Sequence, residues 1–374
     1  MTNLSALVGA LSALALGLTG CASETAASGD IIVKASDSDC AISGTKLDAG
    51  PATFKVTNDG SRVTEFYVYA DGDRIVGEVE NIGPGLSRNL VIDLAKGTYE
   101  GACKPGMVGD GIRQKITVTG KAVTSLSDSE ELKAAAKSYQ RYVESQTGAL
   151  IDKTQEFTDA VKSGKVDEAK ALFPIARTYW ERIEPVAETF GDLDPITDGR
   201  EPDVEPGADF TGWHRIEKQL WVSGNTVGMD KYADQLLANV KEIVERSKTA
   251  PLTALQLAQG SKGLLDEVAT GKITGEEDEF SHTDLWDFKA NIDGSEAAIA
   301  ALRRVLEAQD PALVKELDIR FKELDAELDQ YQKTDGSWTF YDKLTKGQVK
   351  SLSDSVAALS EPISKVAAVV AASA

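Results

Sequence analysis

The sequence predicts a multi-domain chain, an all-β unit followed by a larger all-α unit. Two changes near residue 120 predict it. Before that point, short runs rich in β-branched and aromatic residues alternate with turn residues; after it, apolar residues recur at helical spacing over long stretches. The length of 374 residues agrees, since a domain takes about 150 residues.

The β reading rests on five runs: Ile31–Val33, Ala52–Val56, Glu65–Tyr69, Asn89–Ile92 and Gln114–Val118. Asn58-Asp59-Gly60, Asp71-Gly72-Asp73 and Gly83-Pro84-Gly85 separate them as turns. Short strands at this spacing predict a sandwich or small barrel over residues 31–120. The helical reading covers residues 125–374. Ser127, Asp128 and Ser129 offer caps, with Glu130 and Glu131 in the first turn and Leu132, Ala136, Tyr139 and Val143 following as a stripe. Further helices are expected over about 167–190, 213–222, 226–247, 251–269, 294–308, 310–333 and 347–372. Long helices with short connections predict antiparallel bundles. Gly191–Thr211, with Pro195, Pro202 and Pro206, reads as one long irregular loop, a kind of segment that is often functional.

Ahead of both units, Leu4–Leu18 is a short apolar run of the secretory type. It ends in Leu18-Thr19-Gly20-Cys21, which resembles a bacterial lipobox, although no Lys or Arg precedes the run. The alternatives are a lipidated Cys21 or a plain signal peptide with an incidental cysteine. The expected division is a signal peptide over 1–21 and a small polar tether over 22–30. No later segment reads as a membrane span. The expected location is exported and lipid-anchored, at the cell membrane or in the periplasm, with the anchor as the only membrane contact.

Formal charge is −20. Residues 30–120 hold ten basic and thirteen acidic groups and Glu24 adds one negative charge, so −16 lies beyond residue 120. That balance argues against nucleic acid or anionic lipid as a partner and fits cation binding or a solvated acidic surface.

Cys40 and Cys103 form an even pair in an exported unit, hence a disulfide or two ligands for a soft metal. Gly97-Thr98-Tyr99-Glu100-Gly101-Ala102-Cys103-Lys104-Pro105-Gly106-Met107 resembles the end of a cupredoxin domain, where a Cys and a following Met close a copper site. The histidines of a blue-copper site are missing: the chain has only His214 and His282. A second metal site here would draw on Cys40, Cys103, Met107 and carboxylates such as Glu65, Glu78 and Glu80, with copper or zinc as its ion. Glu78 and Glu80 alternate on one strand face, and the plainer reading is that both face water.

Gly212-Trp213-His214-Arg215-Ile216-Glu217-Lys218 is the most informative segment of the helical unit. His214 and Glu217, three apart, share a helix face beside an apolar stripe. A buried His and Glu need hydrogen-bonding partners or a cation. Glu181 and Glu184 are likewise three apart, and pair with Arg177, Arg182 or Lys170 or serve as ligands. Asp198 lies in the loop ahead of the His helix. No metalloprotease H-E-x-x-H and no Ser or Cys triad is present.

The G-x-H-x-x-E of Gly212–Glu217, the acidic segment Glu181-Arg182-Ile183-Glu184-Pro185 and Ser281-His282-Thr283-Asp284-Leu285-Trp286-Asp287-Phe288 resemble the imelysin-like family. A cupredoxin-like domain ahead of an imelysin-like one resembles the EfeO-type iron-uptake lipoproteins. The resemblance implies two packed four-helix bundles and a metal cleft. It implies His214 and Glu217 as ligands and Glu181, Glu184 and Asp198 as an acidic cluster. It also implies iron, as Fe2+ or Fe3+, captured outside the membrane for an EfeU-type permease beside an EfeB-type haem peroxidase. His282 is expected to be structural. The expected function is an iron-binding transport component, not an enzyme. The alternatives are a copper-dependent ferroxidase in the β domain or a surface protein binding polysaccharide through metal bridges.

Overall fold

The computed structural model describes residues 30–70, 74–120, 129–191, 193–204 and 207–373. The apolar N-terminal run, Cys21 and nearly all of the tether lie outside the described residues.

Among the described residues, nine strands form two sheets: β1 Ile31–Ala35, β2 Cys40–Ile42, β3 Lys46–Asp48, β4 Gly50–Asn58, β5 Thr64–Ala70, β6 Arg74–Ile82, β7 Ser87–Leu94, β8 Gly97–Pro105 and β9 Ile112–Thr119. One sheet runs β2-β1-β4-β7 and the other β3-β9-β8-β5-β6, giving a sandwich. Alternation builds the core. Phe54 and Val56 point inward from β4 while Lys55 between them is exposed, and Phe66, Val68, Leu90, Ile92 and Ile116 meet them. Strands β2, β3, β6 and β8 lie outside the runs that the sequence marks. Cys40 on β2 and Cys103 on β8 are joined by a disulfide that ties one sheet to the other.

Nine α-helices follow among the described residues: α1 Glu130–Lys162, α2 Val166–Glu181, α3 Leu193–Asp198, α4 Gly212–Val222, α5 Asp230–Ser247, α6 Ala254–Thr270, α7 Asp284–Gln309, α8 Pro311–Leu328 and α9 Lys346–Ala372. Helices α1, α2, α4 and α5 make one four-helix bundle and α6 to α9 a second. Caps fix several starts: the Ser129 hydroxyl accepts from Leu132 N, and Thr253 with Gln256 and Thr345 with Gln348 form capping boxes. Apolar stripes of both bundles merge into one core, including Tyr139, Phe157, Phe173, Trp180 and Trp213 in the first and Leu265, Phe288, Leu324 and Leu359 in the second.

Three expectations need correction. The stretch Gly191–Thr211 holds α3 and a 3-10 turn, Glu201–Asp203, because Leu193 and Thr197 find buried positions. Helix α2 ends at Glu181, and Pro185 begins a separate 3-10 turn over Glu184–Phe190, since proline cannot donate within a continuing helix. Helix α9 is long and apolar enough to cross a membrane by length and composition. Its Leu352, Val356, Leu359, Ile363 and Val366 are buried, and the helix packs on α6 and α8.

The turn Glu184–Phe190 sits where the bundles meet. Gly260 of α6 lies against it so closely that a Cβ would come within 1.7 Å of the Pro185 carbonyl oxygen. The same turn faces β6, and α6 touches β6 and β7. Arg88 of β7 pairs with Asp266 of α6, and the Gln259 amide donates to the Val91 carbonyl. The β unit is thus seated beside the junction of the bundles.

Candidate metal centre

At that junction the interior is charged. Helix α4 supplies His214 and Glu217, both buried. Gly212 opens this helix with φ +73°, and a Cβ there would come within 2.1 Å of the Thr197 carbonyl oxygen. Glycine alone satisfies both conditions, and the close approach holds the end of α3 over the first turn of α4. Asp198 at that end therefore reaches the imidazole, its Oδ1 3.4 Å from His214 Nε2. On the other side, His214 Nδ1 is 2.9 Å from Glu217 Oε2. Glu217 Oε1 accepts from the backbone N–H groups of Ser281 (2.7 Å) and Phe280 (3.1 Å), which fixes the carboxylate.

The segment between α6 and α7 adds Glu277, whose Oε1 is 3.8 Å from His214 Nε2, and Asp278, whose Oδ1 is 4.0 Å from His214 Nδ1. Asp284 and Asp287 enter from the first turn of α7. Helix α2 brings Arg177 and Glu181. The Arg177 guanidinium is fully buried and reaches five carboxylates: Glu181, Asp198, Glu277 at 3.0 Å, Asp287 at 3.1 Å and Asp278 at 3.4 Å. Lys272, also buried, donates to Glu181 (2.9 Å) and Glu184 (2.8 Å). Asn291 donates to the same two glutamates.

Eight carboxylates thus share a buried region with Arg177, Lys272 and His214. Even with the imidazole charged, five negative charges remain in excess. An interior cannot hold such an excess bare, so it is met by protons or by a bound cation. Burial pushes Glu184, Asp278 and Asp287 well above the usual carboxylate range, and lifts Asp284 to about 6. Burial also acts on Asp198 and Glu277, but neighbouring cations outweigh it and hold both low, Arg177 foremost for Asp198 and Lys272 for Glu277. For His214, burial and Arg177 oppose the charge. The Asp198, Glu217 and Glu277 carboxylates around the ring outweigh them and keep the imidazole protonated well above its ordinary range.

Three trios here have ligand atoms within 4.8 Å of one another: Asp198/His214/Glu277, His214/Glu217/Asp278 and Glu181/Glu277/Asp287. Arg177 pairs with every member of the third. In the first two, His214 Nε2 and Asp278 Oδ1 are buried without a hydrogen bond. A buried polar atom without a partner calls for an explanation, and a bound cation is one that these atoms could accept. Carboxylates with an imidazole suit iron and other divalent metals of intermediate softness.

Comparison with known proteins decides the family. Residues 135–366 match the imelysin family, and residues 8–118 match the cupredoxin-like domain. The iron uptake system component EfeO of Escherichia coli K12 is 38% identical over 340 residues, 89% of either chain. That of Shigella flexneri matches to the same extent, and that of Escherichia coli O6:H1 is 39% identical over 326 residues, 86% of either chain. The chain belongs to the EfeO family of iron uptake system components.

Of the residues that the sequence nominates in this EfeO-type chain, His214, Glu217 and Asp198 meet directly. Glu181 and Glu184 lie beside them, joined through Arg177 and Lys272. His282 stands apart: its backbone has φ +59°, its N–H bonds Asp278 O and its carbonyl accepts from Tyr341 N. Sequence reasoning missed Glu277, Asp278 and Lys272 altogether and placed Asp284 and Asp287 without giving them a role. The available signal was the run Glu276–Glu279, which by composition alone is a solvated loop.

The structure divides the residues nominated in the β unit. Phe66 pairs with Cys103, so the disulfide lies on the core face of the sheet. Glu65 and Tyr67 flank Phe66 and point to the opposite face, where Glu78 lies across from Tyr67. Met107 is in the turn after β8, 37% exposed. Cys40, Cys103, Met107, Glu65 and Glu78 therefore form no common cluster. Glu78 and Glu80 do not simply face water: both line a cleft shared with the helical unit. Glu65 pairs with Lys104 at 3.6 Å, and burial together with Glu80 lifts its pKa to about 7.

Proposed function

We propose that this chain captures an iron ion at the His214 end of the buried network and hands it to a membrane permease. The observation that carries the proposal is the excess of five acidic groups over basic ones around a buried imidazole whose Nε2 has no hydrogen bond. The ion would bind at His214, with Asp198 and Glu277 as carboxylate ligands on its Nε2 side and Glu217 and Asp278 on its Nδ1 side. The Glu181/Glu277/Asp287 trio suits it less, because a guanidinium cannot give up its proton and would have to leave. Binding would displace protons from His214 and Asp278, so affinity falls as pH falls. Export with a lipid anchor at Cys21, an EfeU-type permease as acceptor and an EfeB-type haem peroxidase as companion complete the reading. The relatives' names support the iron uptake role. The disulfide speaks against a copper ferroxidase, since it leaves neither Cys40 nor Cys103 as a thiolate.

The test is anaerobic calorimetry with Fe(II) on the protein from Ala22 onward, beside the His214→Ala/Glu217→Gln variant. Wild type is expected to bind about one equivalent and the variant to lose at least tenfold in affinity, the loss of a pair of ligands. Circular dichroism checks that the variant stays folded. Equal affinity in the two proteins would overturn the assignment.

A further inference from the structure

A cleft of about 970 Å³ separates the β unit from the helical unit. Its walls are β6 and β7 on one side and the turn Glu184–Phe190, α3 and α6 on the other. Eleven acidic side chains line it against four basic ones. Three of the basic side chains already hold acidic partners: Arg88 and Lys262 share Asp266, and Arg200 bonds Asp203 and Glu276. The acidic groups are arranged in depth, and burial pushes Glu78, Glu188 and Asp194 up, so that an entering cation draws out their negative charge by releasing protons. Glu78 of β6 faces Glu188, whose charge reaches Asp194, which in turn feels Asp198. Glu80 and Glu277 both act on Glu267 of α6. Asp198 and Glu277 line the cleft and are also the two carboxylates nearest His214 Nε2, the buried nitrogen without a hydrogen bond.

We propose that this cleft is the cation's way in, and that Glu78 and Glu80 of the β unit, with Glu188 opposite, draw the ion from solvent toward Asp198 and Glu277. This rests on the function proposed above and gives the β unit a part in it: the β unit forms one wall of an electrostatic funnel whose floor lies in the helical unit. A cleft of one charge sign with low-dielectric walls focuses the field and raises association rates by about 10- to 1,000-fold, an effect that salt removes. The three carboxylates lie outside the ligand set, so they act on the rate of capture rather than on the number of ions held.

The experiment is stopped-flow tryptophan fluorescence of the full exported chain with Fe(II) under anaerobic conditions, across a salt series. Trp180 donates to Asp198 at 2.7 Å and reports on the inner end of the cleft. Three proteins are compared: wild type, Glu78→Gln/Glu80→Gln/Glu188→Gln, and the milder Glu80→Gln in case the triple variant folds poorly. Wild-type association is expected to slow with salt. The triple variant should associate about tenfold more slowly at low salt and converge on wild type at high salt, with stoichiometry unchanged. Glu80→Gln should fall between them. Equal rates at every salt concentration, with stoichiometry intact, would overturn the route and leave the binding site standing. No saturable binding by wild type would overturn both.

Discussion

The interiors of the two units hold together by opposite means. The β core is apolar and closed by a disulfide, with Val33, Phe54, Val68 and Ile116 packed around Cys103. The helical unit is apolar at the outer ends of its bundles, yet at their junction it buries Arg177, Lys272, His214 and eight carboxylates. Apolar burial stabilises by about 25 cal/mol per Å², whereas a buried charge stabilises nothing unless its partners are complete. A fold selected for stability alone would place leucines at that junction. The proposed capture of a cation at the junction would give that charge a use, with the β unit as a wall beside it.

The largest expected effect breaks the comparison at its charged end. Arg177→Met removes a guanidinium shared by five carboxylates and leaves them facing one another. Breaking a buried ion pair costs about 3–5 kcal/mol, and this network should lie near the upper figure. Thermal unfolding of the metal-free variant should show that loss, and Fe(II) should raise its Tm by more than it raises that of wild type, since a cation then takes the guanidinium's place. A variant as stable as wild type would mean that the carboxylates carry protons throughout and that Arg177 balances nothing.

The next effect tests the apolar end. Removing the disulfide with Cys40→Ala/Cys103→Ala opens a loop whose ends are 63 residues apart in sequence. The chain-entropy relation gives about 4 kcal/mol for a loop of that size. Denaturant unfolding should show the loss in the β unit, while iron stoichiometry stays at the wild-type value. A loss of iron binding would mean that the sandwich contributes ligands as well as a wall.

What the sequence made legible follows the same division. Strands β1, β4, β7 and β9 and the long helices could be read because their burial patterns match the periods of strand and helix, and β5 because its aromatic and apolar run is buried on both faces. Strand β6 was hidden: Gly77, Glu78, Glu80 and Asn81 dilute its Ile and Val, since one face looks into an acidic cleft. The first ten residues of α7 were hidden for a related reason. Asp284, Asp287, Asn291 and Asp293 make that stretch polar, although the first three are buried. The H-x-x-E spacing showed His214 and Glu217, which one helix face holds. Glu277 and Asp278 reach them only through the bundle junction, which no spacing encodes. Local reading failed where the chain departs from core-forming habit, and those departures converge on one site.

The smallest effect sharpens the comparison through pH. In the metal-free fold, Glu267 is lifted to about 7, chiefly by burial, and Asp284 to about 6 by the same cause. His214 holds its proton above the ordinary imidazole range because the carboxylates around it outweigh its burial. In the β unit Glu65 is lifted to about 7. All four bind a proton more readily in the folded chain than in the unfolded one. Their contribution to stability is therefore full below the unfolded pKa and is lost as pH rises through the folded one. Asp198 and Glu277 run the other way, but their contribution is lost only as pH falls below the ordinary carboxylate range, so it does not change between pH 6 and 8. Metal-free protein should accordingly melt a few degrees lower at pH 8 than at pH 6, a loss on the order of 1 kcal/mol for each group that titrates through the interval. Saturating Fe(II) should flatten or reverse that slope, because the ion takes the place of the protons in the helical unit and leaves Glu65 and Glu78 of the β unit to respond. Differential scanning calorimetry at the two pH values, with and without Fe(II), separates the units. A slope unchanged by the metal would locate the titrating groups in the β unit and away from the site of capture.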